Sequence, residues 1–547
     1  MRITPLPLSA LPLWCRSNNI EFLDTAVSSS KICLQGDNPS PPNGITTTRA
    51  LTTVNTCDIP TVLDIPKDLV LGKDFLSEIE MVDHHFKQLR ELVGGKSIRG
   101  DIMLFLLLQI TIARNDTTLI CTSCYQRQVT LKICSRPGRA LECYGSEETE
   151  SGKCHNCDGL EQECILSTAV QQPERAFNVG VRNPWSDYVR FLPQKVPSPT
   201  MWSDGERMLL KGTSLEDSII SKMAVLSREF EDLREKTIQI PWCHSCWWED
   251  GGPFQPLLLS DWVRLDAWYR SRSLVLGNAG DVMVPVLDMA NHSFQHNAFW
   301  KQASNGNAVL FLEQGIQLDA GSEVTINYGA RSDAESLFNY GFIDEKIPFA
   351  SLVLGVEPMV TDPLGTAKVA AFRKRPAIRI IGHSDGQTSW ECPFLYFACL
   401  NEEDGLEFKT VQQVDGEHSL KVFWQGTDVT ESTDQFETLI SGHRLEDVFK
   451  LRAAELVRGR VELQIERLLA SEEVMESWRN EMIDWETRRN ALELQRIESI
   501  VLDALYGSII EEISELSKTA DVIQLLQSVH VDSDDLGPES NEEDDFS

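Results

Sequence analysis

Two short pieces within residues 281–343 decide how the chain is read: Asp288-Met289-Ala290-Asn291-His292-Ser293 and Glu323-Val324-Thr325-Ile326-Asn327-Tyr328-Gly329. The apolar run over residues 282–287 leads into the first piece and is short enough for a buried strand. Residues 309–312 read as a second strand. Asp319-Ala320-Gly321 is a turn signal, and residues 323–327 alternate as a third strand ending at Tyr328. Amides and rings that cap buried strands need partners, so these two pieces together form a candidate ligand site.

A third piece follows, Leu337-Phe338-Asn339-Tyr340-Gly341-Phe342-Ile343. The order D-M-x-N-H-S, strand, turn, I-N-Y-G and then L-F-N-Y-G-F-I resembles the core of the SET-domain protein methyltransferases. Within them it is most similar to the Rubisco large-subunit methyltransferase type. The resemblance implies an α+β chain: a SET fold of short β-sheets with a pseudoknot, interrupted by a helical insertion, plus a mostly helical C-terminal lobe. The corresponding segments are 1–82 and 281–345 for the SET domain, and 83–280 for the insertion with its cysteine-rich stretch 119–172. A substrate-binding-like lobe over 346–528 and an acidic, core-poor tail over 529–547, expected to be disordered, complete the division.

The same resemblance assigns roles. Tyr328 matches the family tyrosine whose hydroxyl lies beside the transferring methyl. Asn291 and His292 match the Asn-His pair that holds the cofactor, S-adenosylmethionine, and Asp288, Met289 and Ala290 flank them. His292 is assigned to binding and not to proton transfer. Arg272 matches the family arginine near the cofactor, with Arg270 in the same Arg-Ser-Arg run as a competitor. Asp288 either anchors Arg272 as a charge pair behind the site or touches the cofactor. Asn43 and Gly44 correspond to the glycine-rich turn that lets backbone approach the cofactor, although Pro42 stands where the family has a first glycine. Tyr340 and Phe342 are expected to line the lysine channel. Such a channel has a physical rationale: a lysine amine is protonated at its ordinary pKa of about 10.4, desolvation favours its neutral form, and ring faces tolerate a cation.

Size and charge narrow the rest. A chain of 547 residues exceeds the usual single core, so two or three domains are expected. Its 83 acidic against 50 basic residues leave a net charge of −33, which argues against a nucleic-acid binder and for a basic partner, or else describes an acidic protein with an acidic tail. The longest apolar run, residues 102–110, is too short to span a bilayer, and prolines break the N-terminal apolar stretch, so no secretory signal is expected. Fourteen cysteines in so long a chain fit a reducing interior, cytoplasmic or nuclear, and not a disulfide framework.

Elsewhere the periodicity predicts a short helix within residues 11–22 closing at Asn18-Asn19, and a strand-like run at 44–50. Helices are predicted over 83–113 with a buried core at 102–106, over 201–236, and over 261–274 with Trp262, Leu265 and Trp268 inward. Residues 351–354 and 378–381 read as strands. Long helices return over 444–516, with Leu494, Ile497, Val501 and Leu505 forming one stripe. Cys121-x-x-Cys124 and Cys154-x-x-Cys157 have spacing suited to tetrahedral zinc; a loosely structured or mis-spliced insertion and a redox dithiol are the other readings of residues 121–164, and no metal ligand is assigned. Cys243-x-x-Cys246, among Trp242, Trp247 and Trp248, reads as core.

No cysteine lies between Ile343 and Cys392, so the zinc-binding cluster that follows the SET core in histone-directed relatives is absent. The sequence therefore predicts a protein-lysine N-methyltransferase acting on a non-histone protein. That partner presents a lysine, a basic protein such as a ribosomal protein being one example; no nucleic acid or membrane is expected to be involved, and the oligomeric state stays open. A histidine-directed enzyme and a catalytically weak SET-fold binding module are the alternatives.

Overall fold

The computed structural model describes the chain apart from residues 1–2, 30–42, 55–59, 116–117, 121–126, 130–177, 253, 344–350, 359–361, 384–386, 413–417, 478–482 and 525–547. Two units emerge. The first takes Met1–Met201, Ile219–Ala330 and Phe338–Gly341; the second takes Trp202–Ser218, Arg331–Leu337 and Phe342–Ser547.

In the first unit, strands from the two ends of a long insertion pair with one another. Asn43–Thr47 sits between Thr25–Ser29 and Glu323–Val324, with Val324 opposite Ile45. A second sheet runs in the order Glu21–Phe22, Thr61–Ile65, Ala308–Leu312, Ala298–Gln302, all antiparallel. The β-branched residues at Val62, Ile65, Val309 and Ile45 are buried on the inner faces, as a pleated, half-covered surface favours. Leu11–Ser17 forms the predicted N-terminal helix; it stops at Asn18 and Asn19, the latter at φ 55°, and residues 21–22 are strand instead.

The insertion is helical. Ile98–Asn115 is apolar on nearly every side and is buried throughout residues 101–112, the signature of a helix enclosed by others. Lys73–Val82, His84–Leu92 and Leu259–Arg272 pack against it. Cys243 and Cys246 lie buried beside Trp247, in the core as expected. The cysteines of residues 121–164 lie outside the described residues.

Three expectations change. The strand expected over 282–287 is only Asp281–Met283, because Pro285 has no N–H to continue the ladder and Val286 adopts φ 72°. The strand expected over 323–327 ends at Val324; Thr325 then accepts from Asn297 and Ala298 instead of continuing on Asn43–Thr47. The single helix expected over 201–236 breaks at Lys211-Gly212-Thr213, giving Asp204–Met208 and Leu215–Thr237.

The second unit has its own core, including Leu352, Ile380, Phe397, Phe449, Leu502 and Leu505. Short sheets precede the lobe's long helices. Ser351–Gly355, Ala377–Gly382 and Thr388–Glu391 form one antiparallel sheet, and Leu406–Gln412, His418–Trp424 and Thr427–Asp428 another. Two 32-residue helices, Glu446–Ser477 and Trp485–Leu516, pack on each other. Leu494, Val501 and Leu505 are buried as the stripe predicted, with Ile497 partly covered. The acidic tail falls outside the described residues.

Candidate active site

The two decisive peptides meet. The Ile326 N–H donates to the Asn291 carbonyl at 3.0 Å, the Ser293 N–H donates to the Ile326 carbonyl at 3.0 Å, and His292 and Ile326 form a parallel bridge. Residues that end one strand and follow another are thereby locked side by side. His292 Nδ1 lies 3.1 Å from the Tyr328 N–H and 3.3 Å from the Ile326 carbonyl oxygen. The His292 ring is thus held by backbone groups of the facing peptide. The Tyr328 hydroxyl donates to the Ala290 carbonyl at 2.8 Å, and its ring lies 4.5 Å from that of Tyr340. Burial pushes the Tyr328 phenol well above its ordinary value, so the hydroxyl stays protonated at neutral pH.

Gly44 closes another side. A Cβ built there would come 2.4 Å from Glu323 Oε1 and 2.9 Å from Asn291 Nδ2, so only glycine permits this approach of backbone to side chains. Asn291 Nδ2 donates to Glu323 Oε1 at 2.6 Å. With the amide nitrogen so engaged, the orientation of the Asn291 side chain is set. Asn297 braces the same turn: its amide donates to the Glu323 carbonyl at 2.9 Å and accepts from the Thr325 N–H at 2.9 Å. Asn43 opens its strand, and its backbone pairs with Ser29. Met289 is buried in the single turn Leu287–Met289.

Beneath lies a buried charge pair. Arg272 Nη1 donates to the Asp288 carbonyl at 3.0 Å and to Oδ2 at 3.2 Å. The Tyr188 hydroxyl donates to Asp288 Oδ1 and accepts from the Val286 N–H at 2.8 Å. Burial pushes the Asp288 carboxyl up, against the opposing pull of Arg272 and of Tyr188. Of the two roles open to Asp288, the geometry gives the anchor. The left-handed conformation at Val286, costly for a β-branched residue, is held in place by Tyr188 at the edge of the site. Arg270 goes elsewhere, to Asp266 at 2.7 Å, to Thr200 Oγ1 at 2.6 Å and to the Phe338 carbonyl. Arg272 is therefore the arginine of this cluster.

These groups suit the amino-acid end of S-adenosylmethionine. The Arg272 Nε–H is buried without a hydrogen-bond partner among the described residues, a donor suited to a carboxylate. Glu323 brings a carboxylate beside Asn291, suited to an ammonium. Tyr340 stands against Tyr328 in the first unit, and Phe342 belongs to the second unit. The sequence reading passed over Tyr188, Asn297 and the side chain of Glu323. Tyr188 was signalled by its place in N-P-W-x-x-Y; the other two stand within or just before the decisive pieces, but which strand faces them is not a local property. Among the described residues no group of three or more His, Cys, Asp or Glu is placed to hold a metal ion.

No family model matches the chain. It is 29% identical over 357 residues to SET domain-containing protein 8 of Schizosaccharomyces pombe, covering 64% of this chain and 77% of that protein. It is 26% identical over 216 residues to the chloroplastic [fructose-bisphosphate aldolase]-lysine N-methyltransferase of Arabidopsis thaliana, covering 37% of this chain and 43% of that one. The solved structure of Rubisco LSMT bound to AdoMet superposes with a TM-score of 0.53 at 16% identity, over 98% of this chain and 97% of that chain. Together with strands that pair across a helical insertion and two peptides locked beside a partly buried tyrosine, these likenesses show a SET fold. Over nearly its whole length the fold is similar to that of Rubisco LSMT.

Proposed function

We propose that the chain transfers a methyl group from S-adenosylmethionine to a lysine side chain of a non-histone protein. The observation that carries this reading is the junction at Asn291–Ser293 and Ile326–Tyr328, which sets a neutral phenol on the Ala290 carbonyl with Tyr340 beside it. When bound, S-adenosylmethionine supplies an electrophilic methyl on a sulfonium. The chain's residues do the rest. Gly44, Asn291 and Glu323 receive the ammonium end, Arg272 the carboxylate, and the Asp288–Tyr188 pair keeps Arg272 in place. Tyr328 and Tyr340 form apolar walls with a polar edge, where an entering lysine loses water and so favours its neutral, nucleophilic amine. Their faces also tolerate the cation that forms, and the Tyr328 oxygen is available for weak C–H···O contacts.

A basic acceptor, a ribosomal protein for example, fits the chain's net charge of −33. Action in the cytoplasm or nucleus is supported by the cysteines among the described residues, at 15, 243, 246, 392 and 399, which form no disulfide there; microscopy of a tagged chain tests it. The main test is calorimetry with S-adenosylhomocysteine on wild type and Asn291→Ala, followed by tritiated methyl transfer to cell extract. Wild type should bind, and Asn291→Ala should lose about tenfold or more of the affinity. Tyr328→Phe should lower turnover by about a hundredfold while binding persists. A wild-type chain that does not bind ends the enzyme reading, and equal turnover by wild type and Tyr328→Phe removes the role of Tyr328.

A further inference from the structure

Residues 338–340 are the last turn of the helix Asp333–Tyr340, and with Gly341 they belong to the first unit. An outside donor can hold such a helix end by taking one of its last carbonyls. Arg270 does this. Its guanidinium donates to the Phe338 carbonyl and lies 4.6 Å from the centre of the Phe338 ring. Gly341, at φ 84°, packs so closely that a Cβ would come 2.5 Å from the Pro197 carbonyl carbon. Between these two contacts stands Tyr340, its ring 4.5 Å from that of Tyr328.

Arg270 is itself held. Asp266, one helical turn earlier on Leu259–Arg272 and 0% exposed, pairs with it at 2.7 Å, and Thr200 accepts at 2.6 Å. The same carboxylate lies 2.7 Å from Lys222 Nζ and 3.3 Å from Arg99 Nη1, and Arg99 is balanced by Glu229. A planar guanidinium, with five N–H donors in a fixed fork, can serve a carboxylate, a hydroxyl and a carbonyl in different directions at once. None of these groups belongs to the cofactor cluster of Gly44, Asn291, Glu323 and Arg272.

We propose that Asp266 and Arg270 are a positioning pair for the acceptor side of the site: they seat residues 338–341 and thereby fix Tyr340 against Tyr328. The inference rests on the methyltransferase reading for its acceptor half only. The seating itself is a statement about the chain.

The test uses the full chain with Arg270→Ala, the milder Thr200→Val, and Tyr340→Ala. Amide hydrogen exchange over residues 338–341 should quicken by about tenfold or more in Arg270→Ala, and less in Thr200→Val, with the strand Asn43–Thr47 unchanged. With the chain saturated in S-adenosylhomocysteine, affinity for free monomethyllysine should fall about tenfold or more in Arg270→Ala, while affinity for S-adenosylhomocysteine stays within about twofold. Adding Arg270→Ala to Tyr340→Ala should cost little more, because the arginine acts through the tyrosine. Unchanged exchange at 338–341 overturns the seating. Parallel losses of both ligands, or additive losses in the double variant, overturn the positioning role. A wild-type chain that fails to bind S-adenosylhomocysteine strikes the methyltransferase reading, and the exchange result then still decides the seating.

Discussion

At Gly44 the backbone of one strand runs against the side chains of two others, and no Cβ fits without moving Glu323 or Asn291. Both obstacles are ends of side chains, so Gly44→Ala should fold with a melting temperature within a few degrees of wild type, a shift of about 1 kcal/mol or less. Its cost should fall on the cofactor instead: affinity for S-adenosylhomocysteine drops by about tenfold or more as Asn291 is displaced. Calorimetry reads this, and a third variant checks the cause. Gly44→Ala combined with Glu323→Ala removes the nearer obstacle and should bind better than Glu323→Ala and Gly44→Ala would if their losses simply added. Strict additivity would mean that the two residues do not meet as the geometry places them. Glycine at 44 was legible in the sequence through the family pattern. That it faces Glu323 was not, because the 278 positions between them carry no local signal of pairing.

The helix Trp485–Leu516 carries an acid on its buried face. Glu498 is 2% exposed and accepts from the Ser214 N–H at 2.9 Å and the Ser214 hydroxyl at 2.5 Å. Burial pushes its carboxyl up to about 7, against the pull of the Ser214 bonds. Because the folded value is raised, the folded chain keeps this proton where the unfolded chain has lost it. Stability from the group is therefore present below the ordinary glutamate range near 4.5 and is lost as pH rises towards about 7, in all about 3 kcal/mol. Thermal melts of Glu498→Gln between these pH values should be flatter than those of wild type, with the variant gaining at the alkaline end. Parallel curves would show that Glu498 ionises freely. The partner segment explains why one predicted helix became two. Gln464, fully buried, donates to the Gly212 carbonyl at 2.6 Å, and Arg467 pairs with Glu216 and Asp217. These contacts come from a helix some 250 positions away, and periodicity over residues 201–236 contains no trace of them. Elements fixed by their own pattern, such as Ile98–Asn115 and the buried stripe of Trp485–Leu516, were legible; elements broken by distant partners were not.

For the molecule as a whole, the two peptides that meet after the insertion explain why the fold could be read at all. Residues 288–293 and 323–328 lie close in sequence and carry an unusual set of polar residues between strands, so the junction announces itself. The N-terminal strands, by contrast, find partners more than 240 positions away, and only the family pattern points to them. Charge is the remaining property of the whole. The net charge is −33, and residues 529–547 hold eight acids without Lys or Arg, so 25 of the excess charges stay with residues 1–528. A field of this size should draw a lysine-rich acceptor and weaken with salt, as the screening length shrinks from about 14 Å to about 6 Å between roughly 0.05 M and 0.3 M. The expected result is a kcat/KM on a basic acceptor protein that falls about tenfold over that range while kcat holds, since steering acts on encounter and not on chemistry. Removing residues 529–547 should leave most of the salt dependence in place, because three quarters of the charge remains. An equal salt response with an acidic acceptor of similar lysine content would show that the chain's charge serves solubility and not recognition, and the basic partner would then have to be given up.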